Sequence, residues 1–378
     1  GRSSKFLDVV ENAFKGGFTV PDDEPMVMSD IYKWDAFIRE VLLELGIDNM
    51  EAAVDRGSLD SPALATRAAM MGVSKRQLLH KLLEHPSGYL VDLYGAMPSG
   101  SFYTSVVNTN CNNLLLMGHL IDRVADETNW TVSGAAEEVR RLAPGQLVSY
   151  GDNQLFSGKL FTAFGLVYDA DKHAEFLSRF GMTLKVEETE QTTKISRVRF
   201  CSRAVVRVPS GLLVTRTHTA MYQKLAARPE NDPVVDKLYV RAVMADYMGT
   251  DPVVYEVFSQ VDRQLDVSLD ISVVTPKIKT VLGPTARHFY GSEDDQAILN
   301  VLSSLRVGVI DRRALLSLHT AHSVINTRRA ISLGTSLTVG GTLFGGPLTP
   351  QAQWAHEQTR ESWSRYLTET NQLGVLED

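Results

Sequence analysis

No stretch of this sequence carries the roughly 18 to 20 consecutive apolar residues that a bilayer-crossing helix requires. Nothing near its start reads as a secretion signal, and it opens on Gly1 rather than Met, as a processed or partial product would. Cysteine is scarce. Cys111 and Cys201 make neither a metal-binding spacing nor a disulfide framework, which suits a reducing compartment. Positive charge is short too: the formal net charge is −7, the wrong sign for a protein that grips nucleic acid over its whole surface. Any polynucleotide partner must therefore be held by a local feature. What the chain does have is apolar bulk. Of its 378 residues 44% are hydrophobic, enough for a large core divided among two or three domains or subdomains.

Periodicity predicts an α+β first half and a mostly helical second half, without internal repeats. Segment 25–30 reads as a short buried strand. Segment 35–46 reads as a helix with Phe37, Ile38, Val41, Leu42 and Leu45 on one side and Gly46 as its C-cap. Helix is also expected over 74–84, a loop over 97–100, and a long helix from Thr104 to about Val124. Segment 147–156, "LVSYGDNQLF", reads as a β-hairpin around a tight turn. Segment 169–181 has an Asp N-cap and a terminal Gly, and so reads as a helix. "TLKVE" and "KISRVRF" read as strands, and 204–217 as a hairpin around Pro-Ser-Gly. Helices are expected over 234–248, 252–266, 296–305, 313–330 and 350–372, with a Gly-rich loop at 334–347.

Three polar constellations interrupt this pattern. Asp30, at a strand end, is positioned to point into a cleft, and Asp35 either stands beside it or simply caps the next helix. The run Ser99-Gly100 through Thr104 to Asn108 opens a helix on which Thr104, Asn108 and Asn112 lie at successive i, i+4 positions. Val107, Cys111, Leu114, Leu115 and Gly118 lie opposite. Such a stripe is either solvated or meets something polar, such as a ribose hydroxyl. Gly151-Asp152-Asn153 presents a carboxylate at a hairpin tip, though all three residues are also ordinary turn formers. Lesser signals are His319 and His322, a spacing without a third ligand, and the sequon Asn129-Trp130-Thr131.

Taken in order and spacing, these residues resemble the palm of viral RNA-dependent RNA polymerases, closest to the picornavirus and calicivirus kind. Asp30 and Asp35 match motif A; Ser99, Gly100, Thr104 and Asn108 match motif B; Tyr150-Gly151-Asp152 matches motif C. Segment 169–187 falls where motif D belongs, and Arg199–Arg203 with the following hairpin resembles motif E. Gly-Asp-Asn followed by Gln is similar to the form in negative-strand RNA viruses and in polymycovirus-like fungal viruses, and motif B favours the second.

The resemblance implies an α+β polymerase palm over 1–217, an antiparallel sheet of RRM-like type with helices on one face, and a fingers-like insertion around 47–95. A helical thumb would follow over 218–378. It implies RNA-directed RNA synthesis from NTPs with Mg²⁺, or Mn²⁺, held by Asp30, Asp152, the Ile31 carbonyl and Asn153. Asp35, Ser99, Gly100, Thr104 and Asn108 would recognise the ribose 2′-hydroxyl, which separates RNA from DNA precursors. Lys185, with Lys194 as rival, would be the general acid, and Arg199, Arg203 and Arg207 would contact the RNA backbone. Either lysine reads equally as a solvated strand residue, and at least half of the arginines as a solvated hairpin face.

Fingers motifs F and G, which clamp the triphosphate and guide the template, do not fit in residues 1–29. Either the fingers lie outside this sequence or a second polypeptide supplies them. The expected setting is a replication complex in the host cytoplasm. The competing reading is a palm-thumb scaffold that binds RNA or a partner without catalysis.

Overall fold

The computed structural model describes residues 2–267 apart from breaks at 55, 209–210, 228–231 and 248–249. The helices expected over 296–305, 313–330 and 350–372, the 334–347 loop, His319 and His322 lie outside the described residues. The chain divides into two compact units, one formed by Thr19–Thr193 and the other by Gly1–Phe18 with the chain from Lys194 onward.

The second unit opens with α1 (Arg2–Phe14), which the sequence reading passed over. Phe6, Val9, Val10, Ala13 and Phe14 are buried along one side of it, the helical spacing of a core-facing stripe.

In the Thr19–Thr193 unit, β1 (Met26–Ser29) leads through the short α2 (Trp34–Phe37) to α3 (Glu40–Ala52). Next come α4 (Ser61–Leu79) and the hairpin β2 (His80–Glu84) and β3 (Leu90–Tyr94). The long α5 (Thr104–Thr128) and α6 (Val132–Arg140) lead to β4 (Leu147–Tyr150) and β5 (Asn153–Ser157). Then follow α7 (Lys159–Thr162), α8 (Ala170–Ser178) and β6 (Glu190–Thr192). Strands β4, β5, β1 and β6 form one antiparallel sheet in that spatial order. Strand, helix, hairpin, helix, strand with this neighbour order is the split βαβ arrangement, as the RRM-like expectation required. Val27 and Phe156, paired across β1 and β5, bury against Leu116 and Leu120 of α5. Each such side chain contributes about 1.5–3 kcal/mol, so α5 is fixed to the sheet along its middle.

Local expectations failed where tertiary contacts decide. Gly46 is no C-cap: α3 runs through it to Ala52. A Cβ there would lie 2.6 Å from Cys111 Sγ and 3.0 Å from Val107 Cγ1, so the glycine lets α3 and α5 touch. The helix expected over 35–46 breaks at Ile38, whose ψ is 122°. Its buried face is Ile38, Leu42, Leu43 and Ile47, while Phe37, Val41 and Leu45 are exposed. The helix expected over 74–84 ends at Leu79, because His80–Glu84 pairs with β3 instead. "TLKVE" makes only the single bridge between Leu184 and Ile31, and "KISRVRF" is a 3₁₀ turn, Ile195–Arg197, before β7 (Arg199–Phe200). Asp169 does cap α8, accepting from the backbone N–H groups of Asp171 and Lys172.

In the other unit β7 pairs with β8 (Arg203–Val208), which pairs with β9 (Gly211–Arg216). Helices α9 (His218–Ala226), α10 (Pro233–Tyr247) and α11 (Pro252–Gln264) follow, packed around Met221, Val243, Tyr247 and Val254.

Candidate active site

Asp30 stands one residue beyond β1, and Gly151-Asp152 is the two-residue tip between β4 and β5. Gly151 has φ 63° while Asp152 keeps negative φ, the pattern of a type II′ hairpin turn, which asks for Gly first. Ser29 pairs with Gln154 across β1 and β5, so the two aspartates leave the same end of adjacent strands. The Asp152 carboxyl lies above the usual carboxylate value. The protein around it removes solvent, and Asp35 and Asp30 add like charge. Three acids therefore share one electrostatic environment.

Asp30 has a counter-ion. Lys185 Nζ lies 3.0 Å from Asp30 Oδ2 and 2.9 Å from Glu188 Oε2. The Lys185 backbone N–H also donates to the Asp30 carbonyl at 2.9 Å, so the segment after α8 is stitched to the end of β1.

Asp35 is not an N-cap but lies in the first turn of α2. It accepts from Ser99 Oγ at 2.6 Å and from Asn108 Nδ2 at 2.8 Å, joining residues 64 and 73 positions away. Asn108 is 2% exposed, and its Oδ1 has no hydrogen-bond partner among the described residues. A buried acceptor of this kind is costly unless something completes it. Thr104 Oγ1 donates to the Pro98 carbonyl at 2.7 Å, closing the loop that contains Gly100.

The hairpin tip is held by α5. Asn112, 1% exposed, donates from Nδ2 to the carbonyl oxygens of Gly151 and Asp152. Thr109 Oγ1 accepts from the Gly151 N–H at 2.9 Å, and Asn113 Oδ1 accepts from Ser149 Oγ at 2.7 Å. Gln154 donates to the Asn112 carbonyl and to Ser149 Oγ. The polar stripe is thus neither solvated nor free: Asn108 serves Asp35, and Asn112 serves the turn. Sequence reasoning missed Thr109, Asn113, Ser149, Gln154 and Glu188. The signal for the first two was the density of amides and hydroxyls at 108–113 within an otherwise apolar helix.

The motif E arginines belong to the other unit and have partners within it. Arg199 donates to the Ser196 carbonyl at 2.7 Å, and Arg203 pairs with Asp246 at 3.0 Å. Arg207, 7% exposed, pairs with Glu11 at 2.9 Å and donates to the Gly17 carbonyl. Lys194, the rival acid, follows the Thr19–Thr193 unit.

Among the described residues, no three His, Cys, Asp or Glu side chains meet as a ready-made metal cage. Two carboxylates nonetheless suit Mg²⁺, which keeps waters and substrate phosphates as its remaining ligands. The Asp152 carboxyl, raised by burial first and by the charge of Asp35 and Asp30 second, and an ammonium already seated on Asp30, both mark a place where positive charge is favoured. Hard oxygen donors and local charge fit a divalent cation.

A sequence model of the family described as viral RNA-dependent RNA polymerase matches residues 25–237. No curated protein sequence matches the chain. Among solved structures, an insertion-loop deletion mutant of a human picobirnavirus RNA-dependent RNA polymerase superposes with a TM-score of 0.51 at 13% identity, over 79% of this chain and 53% of the other. A second structure of a human picobirnavirus polymerase gives 0.51 at 14% identity, over 74% of this chain and 51% of the other. The likeness is one of fold, and the chain spans about half the length of these proteins.

Proposed function

The chain belongs to the viral RNA-dependent RNA polymerase family, and from that premise we propose that it carries the palm and thumb of an enzyme that extends RNA on an RNA template. The observation that carries this reading is the convergence of Asp30 and Asp152 at one end of adjacent strands, with Asp35 held on the α2 turn by Ser99 and Asn108. In the step proposed, the primer 3′-hydroxyl gives its proton to solvent and its oxygen bonds to the α-phosphorus of an NTP, the bond from that phosphorus to the oxygen bridging to the β-phosphate breaks, and pyrophosphate leaves. Asp30 and Asp152, with the Ile31 carbonyl and the Asn153 side-chain oxygen, would hold Mg²⁺ or Mn²⁺. When bound, the ions lower the pKa of the attacking hydroxyl and neutralise the departing pyrophosphate.

The chain's own residues do the positioning. Asp35, fixed by Ser99 and Asn108, presents acceptors to a ribose 2′-hydroxyl, and the buried Asn108 Oδ1 supplies another. Gly100, beside which a Cβ would meet nothing within 4 Å, and Thr104 shape the loop that admits the sugar. Lys185 gives a proton to the pyrophosphate. Arg199 and Arg203 contact the RNA backbone, whereas Arg207, buried on Glu11, holds its hairpin in place.

The chain covers about half the length of the polymerases it superposes on. The reading proposed puts a basic fingers region with motifs F and G on a second polypeptide or in a region outside this sequence. The setting proposed is a replication complex in the host cytoplasm; no helix among the described residues is long and apolar enough to cross a membrane. The likeness of Gly151-Asp152-Asn153-Gln154 to the motif C of polymycovirus-like fungal viruses supports a lineage near them.

Primer extension on an RNA template tests the reading. The chain completed with its fingers partner should extend, the chain alone should not, and Asp152→Ala should abolish extension. Undiminished extension by Asp152→Ala would leave only the scaffold reading.

A further inference from the structure

Lys185 and Asp30 meet in an arrangement more deliberate than a surface ion pair. The Lys185 N–H donates to the Asp30 carbonyl at 2.9 Å, and the Thr189 N–H and hydroxyl each donate to the Lys185 carbonyl at 2.9 Å. Thr189 Oγ1 in turn accepts from the Asp30 N–H at 3.4 Å. The backbone thus fixes where the lysine starts, and its ammonium spans Asp30 at 3.0 Å and Glu188 at 2.9 Å. An ammonium has three donors, so it satisfies both acids together. Glu188, three residues along from Lys185, holds the same ammonium as Asp30.

We infer that Lys185 is a resident counter-ion of Asp30 that an entering divalent cation displaces, and that Glu188 is the acceptor that receives it. The bridge is partly exposed, with side chains 31% and 44% accessible, so it is weak and yields to a doubly charged competitor. Glu188 keeps the displaced ammonium tethered beside the site instead of losing it to solvent. The inference rests on the proposed reading of Asp30 as a metal ligand.

Binding of Mn²⁺ to the intact chain without RNA or nucleotide, read by electron paramagnetic resonance of free Mn²⁺, tests it. The variants are Asp30→Asn, Lys185→Met, Lys185→Arg, Glu188→Gln and the Lys185→Met/Glu188→Gln double, each checked for folding by thermal melting. Lys185→Met should tighten Mn²⁺ about two- to fivefold, the worth of one exposed ion pair, and Lys185→Arg should stay near the parent. Glu188→Gln should weaken binding by a similar factor in the parent, but by less than half that factor (on a logarithmic scale) without Lys185, because nothing remains to be handed over. Equal Glu188→Gln effects in both backgrounds would overturn the inference, since Glu188 would then act only as a distant negative charge. So would unchanged or weaker binding in Lys185→Met. If Asp30→Asn loses Mn²⁺ while the cycle is additive, the metal reading stands and this inference falls. If Asp30→Asn binds like the parent, both fall.

Discussion

The Asn112 side chain donates to the carbonyl oxygen of Asp152 at 3.0 Å, and to that of Gly151 at 3.1 Å. One helix residue therefore grips both peptide groups of the turn that presents the carboxylate. Replacing Asn112 with Leu leaves two inward carbonyls unpaired, a cost of about 2–3 kcal/mol. The same loss should let Asp152 drift by about 1 Å, a misplacement that lowers turnover by about 10²-fold. Urea melts and primer extension in the completed assembly measure both. An Asn112→Leu protein with parental turnover would show that the tip needs no clamp.

Asp35 accepts one hydrogen bond on each carboxylate oxygen, from Ser99 and from Asn108, which fixes its orientation and leaves a further lone pair on each oxygen. Asn108→Ala and Ser99→Ala should each erode the preference for ribonucleotides over deoxyribonucleotides, by about tenfold for a lost charge-assisted hydrogen bond. Overall extension of the ribonucleotide should fall less. Competition between an NTP and its deoxy counterpart gives the ratio; an unaltered ratio in both variants removes the sugar-sensing role from this set.

Much of this site was legible in the sequence because its signals are local. The Gly-Asp turn announces its own hairpin, β1 is a short apolar run ending in Asp30, and the order of the acids carried the family resemblance. What escaped depends on contacts between distant segments. Gly46 looks like a helix stop until Cys111 is packed against it. His80–Glu84 continues a helical pattern in Leu and Lys, and only its pairing with β3 makes it a strand. Thr109, Asn113 and Gln154 are unremarkable polar residues until α5 meets the hairpin. Glu188 gains meaning only through the lysine it shares with Asp30.

Acid sensitivity follows from a pair in the core. His119 and His173, each 1% exposed, stack with ring centroids 4.7 Å apart. Burial drives the His119 imidazole down to about 2, aided by the charge of His173, Arg123, Arg179 and Lys172, and burial alone takes His173 down to about 4. Both folded-state values lie below the unfolded value of 6.5, so the unfolded chain binds more protons below that pH. Stability then falls as pH drops through 6.5, by about 2 kcal/mol per histidine on reaching pH 5. His119, with neither ring nitrogen hydrogen-bonded among the described residues, lies against Phe161 and Phe176, so a Phe in its place should lose no hydrogen bond. His119→Phe should remove about half of that loss in melts at pH 7 and pH 5. A pH dependence equal to the parent's would mean that the ring is not taken from its unfolded-state protonation by burial.

Asn153 Nδ2 lies 3.4 Å from Asp152 Oδ1, so the amide turns a donor toward a carboxylate already crowded by Asp30 and Asp35. An acid in its place would add a fourth like charge and turn an oxygen toward that carboxylate. For the metal-free chain, Asn153→Asp should raise the Asp152 carboxyl further and lower the melting temperature at neutral pH, where the added repulsion is fully developed. Divalent cations should restore more of the lost stability than they add to the parent, because they neutralise a denser cluster. The same extra oxygen and charge favour the harder, more strongly hydrated Mg²⁺, so the Mn²⁺-to-Mg²⁺ ratio of extension rates should fall relative to Asn153. Melting with and without each metal separates the charge effect from catalysis, and the two rates give the ratio. A ratio identical to the parent's would reduce Asn153 to a turn former, with the hydrogen bond to Asp152 as its whole contribution.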